Sequence, residues 1–383
     1  MSGIYLDHHA TTPLDPRAYD AMKPWLTERF GNPHSESHML GRAAADAVEA
    51  ARAQVAALIG ADPREIVFTS GATEANNLAI IGVARFLKAT KRRVVTVATE
   101  HKCVLESARS LEDEGFEVVT VGVRPDGLVD MQALDRAITS DTAVVAVMAA
   151  NNEIGTLQPL AEIAALARSR GALVHSDAAQ AAGKVPLDVA NVDTMSISSH
   201  KMYGPMGIGA LYIRRRPRVR LKPLFHGGGQ ERGLRSGTLP VALCVGFGAA
   251  CEIAREELPS EAERVARLRD RLQARLASAI PGARVNGAAA PRLPGNLNIA
   301  LPGIDALQLI AAVPEVALSA GSACTSAEVA PSYVLMALGL DEPTARASLR
   351  FGIGRFNTEA EIDRAAALIV AAVKRLRSEA RVA

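Results

Sequence analysis

The order of apolar and polar residues predicts an α/β fold built on a mostly parallel sheet, joined to a separate α+β unit toward the C-terminus. Three observations predict it. From about residue 64, short apolar runs alternate with segments of helical periodicity, as in strands linked by crossover helices. The run 144–148 is apolar at every position, which suits a strand covered on both faces. Near Glu257 the alternation ends and longer helical patterns take over.

Taken in order, the run 66–69 is a strand, and a long helical segment starts at Thr73. The run 94–97 is the next strand, followed by a helix that reaches Leu111. A strand at 118–121 precedes a helix over 131–138, and the buried strand 144–148 follows. The helix over 159–170 opens on Pro159 and is closed by Gly171. Proline fits a first helical turn, and glycine fits the left-handed residue past the last one. Leu173 with Val174, and then 208–213, continue the strand set. Beyond Glu257, Ser260 and Glu263 have capping-box spacing ahead of Val265, Leu268, Leu272 and Leu276. Thr358 and Glu361 repeat that spacing ahead of a last helix with Leu368, Ile369 and Val373. The runs 297–300 and 316–319 are strands between these helices.

The 383 residues exceed one small core and suit a large unit with a smaller one. A charged fraction of 22% with a formal charge of +2 creates no global pull toward nucleic acid or membrane. The one basic run, 214–222, follows a strand and reads as a solvated loop, not a nucleic-acid patch. No apolar run approaches the length of a membrane helix. The N-terminal residues lack the basic and apolar regions of a secretory signal. Cys103, Cys244, Cys251 and Cys324 form no Cys-x-x-Cys pair. Their spacing suits neither a disulfide framework nor a zinc site, so a reduced, cytoplasmic protein is expected.

Lys201 is the only basic lysine or arginine side chain in the apolar and small-residue stretch 195–213. Taken alone, a lysine is an ordinary surface residue. In this setting desolvation disfavours its ammonium and leaves an amine able to form a Schiff base. Asp177 falls just past a strand, where open parallel sheets bind ligands. It reads either as a helix cap or as the partner of a pyridinium nitrogen. Gln180, three residues on, is placed to donate to a phenolate oxygen. The segment 68–74 passes from strand through Gly71 into a helix; its first amides and the Thr73 hydroxyl suit a phosphate dianion. His101 follows the strand 94–97 and is either a structural histidine or an imidazole stacked on a flat cofactor. Cys324 lies among glycine, serine, alanine and threonine, as an exposed nucleophilic thiol would. An incidental loop cysteine and a metal ligand remain the alternatives there. Arg350, between apolar neighbours, suits a bidentate grip on a carboxylate.

Motifs spread over nearly the whole chain resemble those of the cysteine desulfurases of the class V aminotransferase-like enzymes. They are YLDHHATTP at 5–13, FGNP at 30–33, TSGATE at 69–74, TEHK at 99–102 and NNEIG at 151–155. SSHKMYGP at 198–205, GGGQERGLRSGT at 227–238 and GSACT at 321–325 complete the series. The resemblance implies fold type I, with a mostly parallel seven-stranded sheet in a large domain, 13–256. It implies a small α+β domain from 1–12 and 257–383 that carries the cysteine loop. It further implies pyridoxal 5'-phosphate bonded to Lys201, with His101 stacked on the ring and acting as acid/base, Asp177 at the ring nitrogen and Gln180 at the phenolate oxygen. By the same likeness Ala72, Thr73, Ser198 and His200 hold the phosphate, and Asn152 lies beside cofactor and substrate carboxylate. Arg350 is implied to bind that carboxylate, and Thr238 to reach the phosphate site of the other subunit of a homodimer. Cys324 is implied to carry sulfur from L-cysteine as a persulfide to an iron–sulfur scaffold or other acceptor. No metal is required on this reading, although Cys324 can transiently ligate an iron–sulfur cluster. The setting of Cys324 resembles the branch that serves iron–sulfur assembly or nitrogen fixation. Met206 departs from the lysine common in the family after SSHKMYGP.

Overall fold

The computed structural model describes residues 3–321 and 330–382. Its strands are β1 (Ile4–Tyr5), β2 (Ile66–Thr69), β3 (Arg93–Val97), β4 (Glu117–Val121), β5 (Thr142–Ala146), β6 (Leu173–Asp177), β7 (Thr194–Ser198), β8 (Gly209–Ile213), β9 (Arg284–Val285), β10 (Asn296–Ala300), β11 (Val316–Ala317) and β12 (Ser348–Gly352). Seven of them form one sheet in the order β2-β8-β7-β6-β5-β3-β4. Only β8 runs against its neighbours; the other six point the same way. The expected mostly parallel α/β architecture is therefore present.

Valine, isoleucine and threonine dominate β2 to β5, and these strands need cover on both faces. One face packs against the helices Met39–Ile59, Met131–Ala137 and Leu160–Ser169 and the start of Val241–Ala279, around Val95, Val145, Val174 and Phe247. The other face is closed by Ala72–Leu87 and Lys102–Arg109, around Leu78, Ile80, Val94 and Val144. The sheet is thus the middle layer of three.

Two sequence expectations are modified, and one strand was not expected. The strand expected at 144–148 ends at Ala146, and 147–149 continues as irregular chain whose amides at Val147 and Ala149 donate to His175 and Asp177. β7 has no apolar run to announce it: Thr-Met-Ser-Ile-Ser is buried at all five positions, its small polar residues fitting between neighbours. The capping box at Ser260 and Glu263 does not form, because Val241–Ala279 is one helix that includes Pro259. Ser260 instead donates back to the Glu257 carbonyl at 3.1 Å. The box at Thr358 does form, with Glu361 N–H to Thr358 Oγ1 at 3.2 Å and Thr358 N–H to Glu361 Oε2 at 2.9 Å.

A second core gathers Ile4 and Leu6 with Leu272, Leu297, Phe351, Ile369 and their neighbours. Its sheet is β12-β10-β9, antiparallel, and β1 pairs with β11 beside it. The long helix serves both cores: Cys244, Phe247 and Cys251 face the first, and Val265, Leu268, Leu272 and Leu276 the second. Among the described residues no helix is long and apolar enough to cross a membrane. The basic run borders an open groove that Arg64 and Arg232 also line, with Arg214 turned inward to Asp193 at 3.2 Å.

Candidate active site

The carboxyl ends of β2, β7, β6, β5 and β3 share one edge of the sheet, so the segments leaving them converge. Register makes this concrete. Thr69 and Ser198 flank Gly209 on adjacent strands, and Asp177 lies opposite Ser196. A side chain on Gly209 would strike Gly71, so the absence of a Cβ there lets the turn after β2 sit against the sheet. Beyond β2, Gly71 (φ 152°) opens the Ala72–Leu87 helix with no side-chain cap. The first-turn amides of Ala72 and Thr73 therefore face an anion-binding position.

Asp177 ends β6 and is 7% exposed. It accepts from Ala179 N at 2.9 Å and from Asn76 Nδ2 at 2.7 Å. Asn76 is held in turn by His175 Nε2 at 2.8 Å and Ser196 Oγ at 2.5 Å, both on its Oδ1. The Asp177 carboxylate thus stands on a buried polar column that fixes its plane.

His101 follows β3 and caps the Lys102–Arg109 helix, its Nδ1 accepting from Cys103 N at 3.2 Å. The Cys103 thiol lies 3.0 Å from the same nitrogen and 3.2 Å from Asn76 Nδ2. A neutral His101 so bonded carries its proton on Nε2. Burial holds its imidazole below the usual range; the Asp177 charge raises it, and Lys201 and Lys102 lower it. Burial pushes the Cys103 thiol up to about 12, with Asp177 adding to the rise and bonds from Asn76 and Thr73 opposing. Next door, burial raises the Glu100 carboxyl well above its usual range, and its Oε1 accepts from Met148 N at 2.6 Å.

Lys201 stands in the 3-10 turn directly after β7, and its Nζ donates to the His9 carbonyl at 2.9 Å. Gln180 Nε2 donates to that same carbonyl at 2.9 Å. His200 points back at Thr11, Nδ1 to Oγ1 3.0 Å, with its imidazole pushed down to about 4 by burial first and by Lys201 and Lys184 next. Arg350, on β12, is 1% exposed; it donates to the Asn152 carbonyl at 3.0 Å and to Asp7 Oδ1 at 2.8 Å. Arg350 Nε and Asn152 Oδ1 are both buried with no protein partner. The structure thus gathers Ala72, Thr73, His101, Asp177, Gln180, Ser198, His200 and Lys201 at one sheet edge, with Asn152 and Arg350 together beside it. Thr238 stands apart, exposed on the stretch before the long helix. Cys324 lies outside the described residues.

Sequence reasoning missed Asn76, His9, Glu100, Cys103 and Lys184. Asn76 had a local signal, since it lies three residues past Thr73 on one helical face. His9 had none, because its contact closes only when residue 9 meets residue 180 across the fold, whereas Lys184 lies four residues past Gln180 and bonds to it.

A sequence model of the aminotransferase class-V family matches residues 4–365. The chain belongs to this family. It is 54% identical over 98% of its length to a human protein named cysteine desulfurase, covering 82% of that relative. Identity is also 54%, over 98% of the chain and 92% of the relative, to the cysteine desulfurase IscS of Rickettsia akari (strain Hartford). Among solved structures, a NifS-like protein superposes with a TM-score of 0.89 at 36% identity, covering 100% of both chains.

Proposed function

We infer that the chain is a pyridoxal phosphate-dependent cysteine desulfurase that turns L-cysteine into L-alanine and passes the sulfur on for iron–sulfur cluster assembly. The observation that carries the reading is the convergence of an amine, a carboxylate, an imidazole and an open helix N-terminus, Lys201, Asp177, His101 and Ala72–Thr73, from separate strands onto one sheet edge. These residues fit the cofactor. A Cβ built at Gly71 would meet nothing within 4 Å, so the anion position is open, and the unpartnered Asn152 Oδ1 and Arg350 Nε offer buried polar atoms to a ligand.

When bound, the cofactor supplies an electron sink that acidifies the substrate α-hydrogen and loosens its Cβ–Sγ bond. The protein residues do the rest. Lys201 Nζ holds the cofactor and moves the α-proton. Asp177, oriented by Asn76, supports the positive ring nitrogen, and Gln180 donates to the ring oxygen. Ala72, Thr73, Ser198 and His200 hold the phosphate, completed by Thr238 of a second copy in a homodimer. His101 covers the ring and exchanges protons. Asn152 and Arg350 orient the substrate carboxylate, with Asp7 fixing the guanidinium plane.

Cys324 attacks the substrate sulfur. The Cβ–Sγ bond breaks, its electron pair stays with the carbon fragment that leaves as alanine, and the new S–S bond leaves a persulfide on the enzyme. A thiol acceptor or partner protein then takes that sulfur. Free Cys103, Cys244 and Cys251 suit a reducing, cytoplasmic setting. The division into 13–256 and 1–12 with 257–383 belongs to the same reading and is supported by the two separate cores.

Two variants test this. Lys201→Ala is expected to give no pyridoxyl-labelled peptide after borohydride reduction, where the native protein gives one at Lys201. Cys324→Ala is expected to keep the yellow cofactor band and lose at least about 100-fold in sulfide release with a thiol reductant, the scale of losing a covalent nucleophile. Undiminished sulfide release would remove the persulfide step, and a label on the Lys201→Ala protein would remove the cofactor assignment.

A further inference from the structure

A second charged side chain stands behind the cluster. Gln180 Oε1 accepts from His9 Nδ1 at 3.0 Å and from Lys184 Nζ at 3.3 Å. Both lone pairs of that oxygen are then used, which fixes the amide with Nε2 toward the His9 carbonyl, the acceptor that Lys201 also uses. His9 is 2% exposed, and with Nδ1 protonated its Nε2 is a buried acceptor with no partner. His9 and Lys184 border a cavity of about 30 Å³, together with His8, Tyr203 and Glu261. That is room for a water or two, and the unpartnered nitrogen gives water a reason to be there.

We propose that Lys184 is a positioning residue that sets, from behind Gln180 and His9, the charge felt by Lys201 in the cofactor site. The inference rests on the pyridoxal phosphate reading above. Three features support it. Among the described residues the amine of Lys184 touches Gln180 but no carboxylate, so no salt bridge there cancels its charge. Its charged surroundings are of mixed sign: Lys201 and Arg350 repel an ammonium there, and Glu261 on the long helix attracts one, while His8, His9 and Tyr203 face the cavity as neutral groups held so by burial. Burial, then Lys201 and Arg350, bring the Lys184 amine down to about 7, so it changes charge within the working range of an enzyme. Interaction between charges is mutual. An ammonium on Lys184 makes it harder for the nitrogen of Lys201 to hold a proton, and it sharpens Gln180 as a donor by polarising its amide.

The test is a spectral pH titration of the holoenzyme loaded with pyridoxal phosphate, following the visible band. Lys184→Met removes the charge with little change of volume, and Lys184→Arg makes it permanent. The expected midpoints rise in the order Lys184→Arg, native, Lys184→Met, with a total spread on the order of one pH unit. The native curve is expected to be the shallowest, because two coupled groups titrate together only in that protein. Lys184→Arg carries the test by itself if the methionine variant does not fold. Superimposed curves, or the reverse order, overturn the inference while leaving the function intact. No visible band in the native protein on adding pyridoxal phosphate would remove the function and this inference together.

Discussion

Asn76 Oδ1 receives two donors, His175 Nε2 and Ser196 Oγ, which leaves Asn76 Nδ2 aimed at Asp177. The arrangement needs a proton on His175 Nε2, and in the neutral ring Nδ1 then accepts from Thr194 Oγ1 at 2.9 Å. Burial enforces the neutral ring by bringing His175 from 6.5 down to about 4, against an upward pull from Asp177. Linkage fixes the sign. The unfolded imidazole takes its proton near 6.5 and the folded one near 4, so on acidification the unfolded chain binds protons first. The stability that His175 contributes is whole above pH 6.5 and is lost as pH falls toward 4, by about 3 kcal/mol at most. His8 and His200, each also near 4, act in the same sense. The melting temperature is therefore expected to drop over this window, and His175→Gln is expected to show a shallower drop. Equal slopes would mean that His175 takes no part.

Among the elements, the stretch between β8 and the long helix is held in the least comfortable backbone. Glu231 (φ 50°) and Arg232 (φ 59°) both lie in the left-handed region without being glycine, which costs roughly 1 kcal/mol or more each. Arg52, from the Met39–Ile59 helix, compensates: it binds Glu231 through both terminal nitrogens at 2.8 Å and also reaches the Ile66 carbonyl at 3.1 Å. Glu231 in turn accepts from Phe68 N at 2.6 Å. The pair is 4% and 6% exposed, so removing one partner strands a buried charge. Arg52→Met is expected to cost about 3–5 kcal/mol in urea unfolding at an unchanged m value. A loss below about 1 kcal/mol would show the pair to be replaceable packing. No local signal announced this pair, because each partner reads as a helix-surface or loop charge. By contrast β2, β3 and β4 were legible, since their β-branched residues leave few other conformations favourable. The positions of Lys201, Asp177, His101 and Thr73 were legible too, each lying at a strand end or within four residues past one. β7 was not, because small polar residues at buried positions declare themselves only through their neighbours. Ser260 misled for a related reason: a local cap signal yields when both halves of a helix are gripped by separate cores that hold it straight through Pro259.

At the scale of the whole molecule, that grip decides whether the two cores are independent. The long helix leaves Phe247 and Cys251 in one core and enters the other at Val265 with no break in its residue range. Charges lock the same junction. Arg355, after β12, pairs with Asp15 at 2.7 Å and with Glu261 at 2.8 Å, and stacks over Tyr203 at 4.3 Å. Arg17 ties Asp15 onward to Glu257. Asp15, held down to about 2 by Arg17 and Arg355 against the opposing effect of burial, stays ionised over any ordinary pH. Core residues on either side should then report one event. Leu272 is fully buried in the second core, and Leu272→Ala is expected to cost about 2–5 kcal/mol through lost contacts and a residual cavity. Trp25 is the only tryptophan and packs against the first core. If the junction transmits, its fluorescence transition in denaturant moves by the same amount as the far-ultraviolet circular dichroism transition in the Leu272→Ala protein. A Trp25 midpoint left at the native value while the dichroism splits into two steps would show instead that the second core melts alone, with the long helix fraying at Pro259.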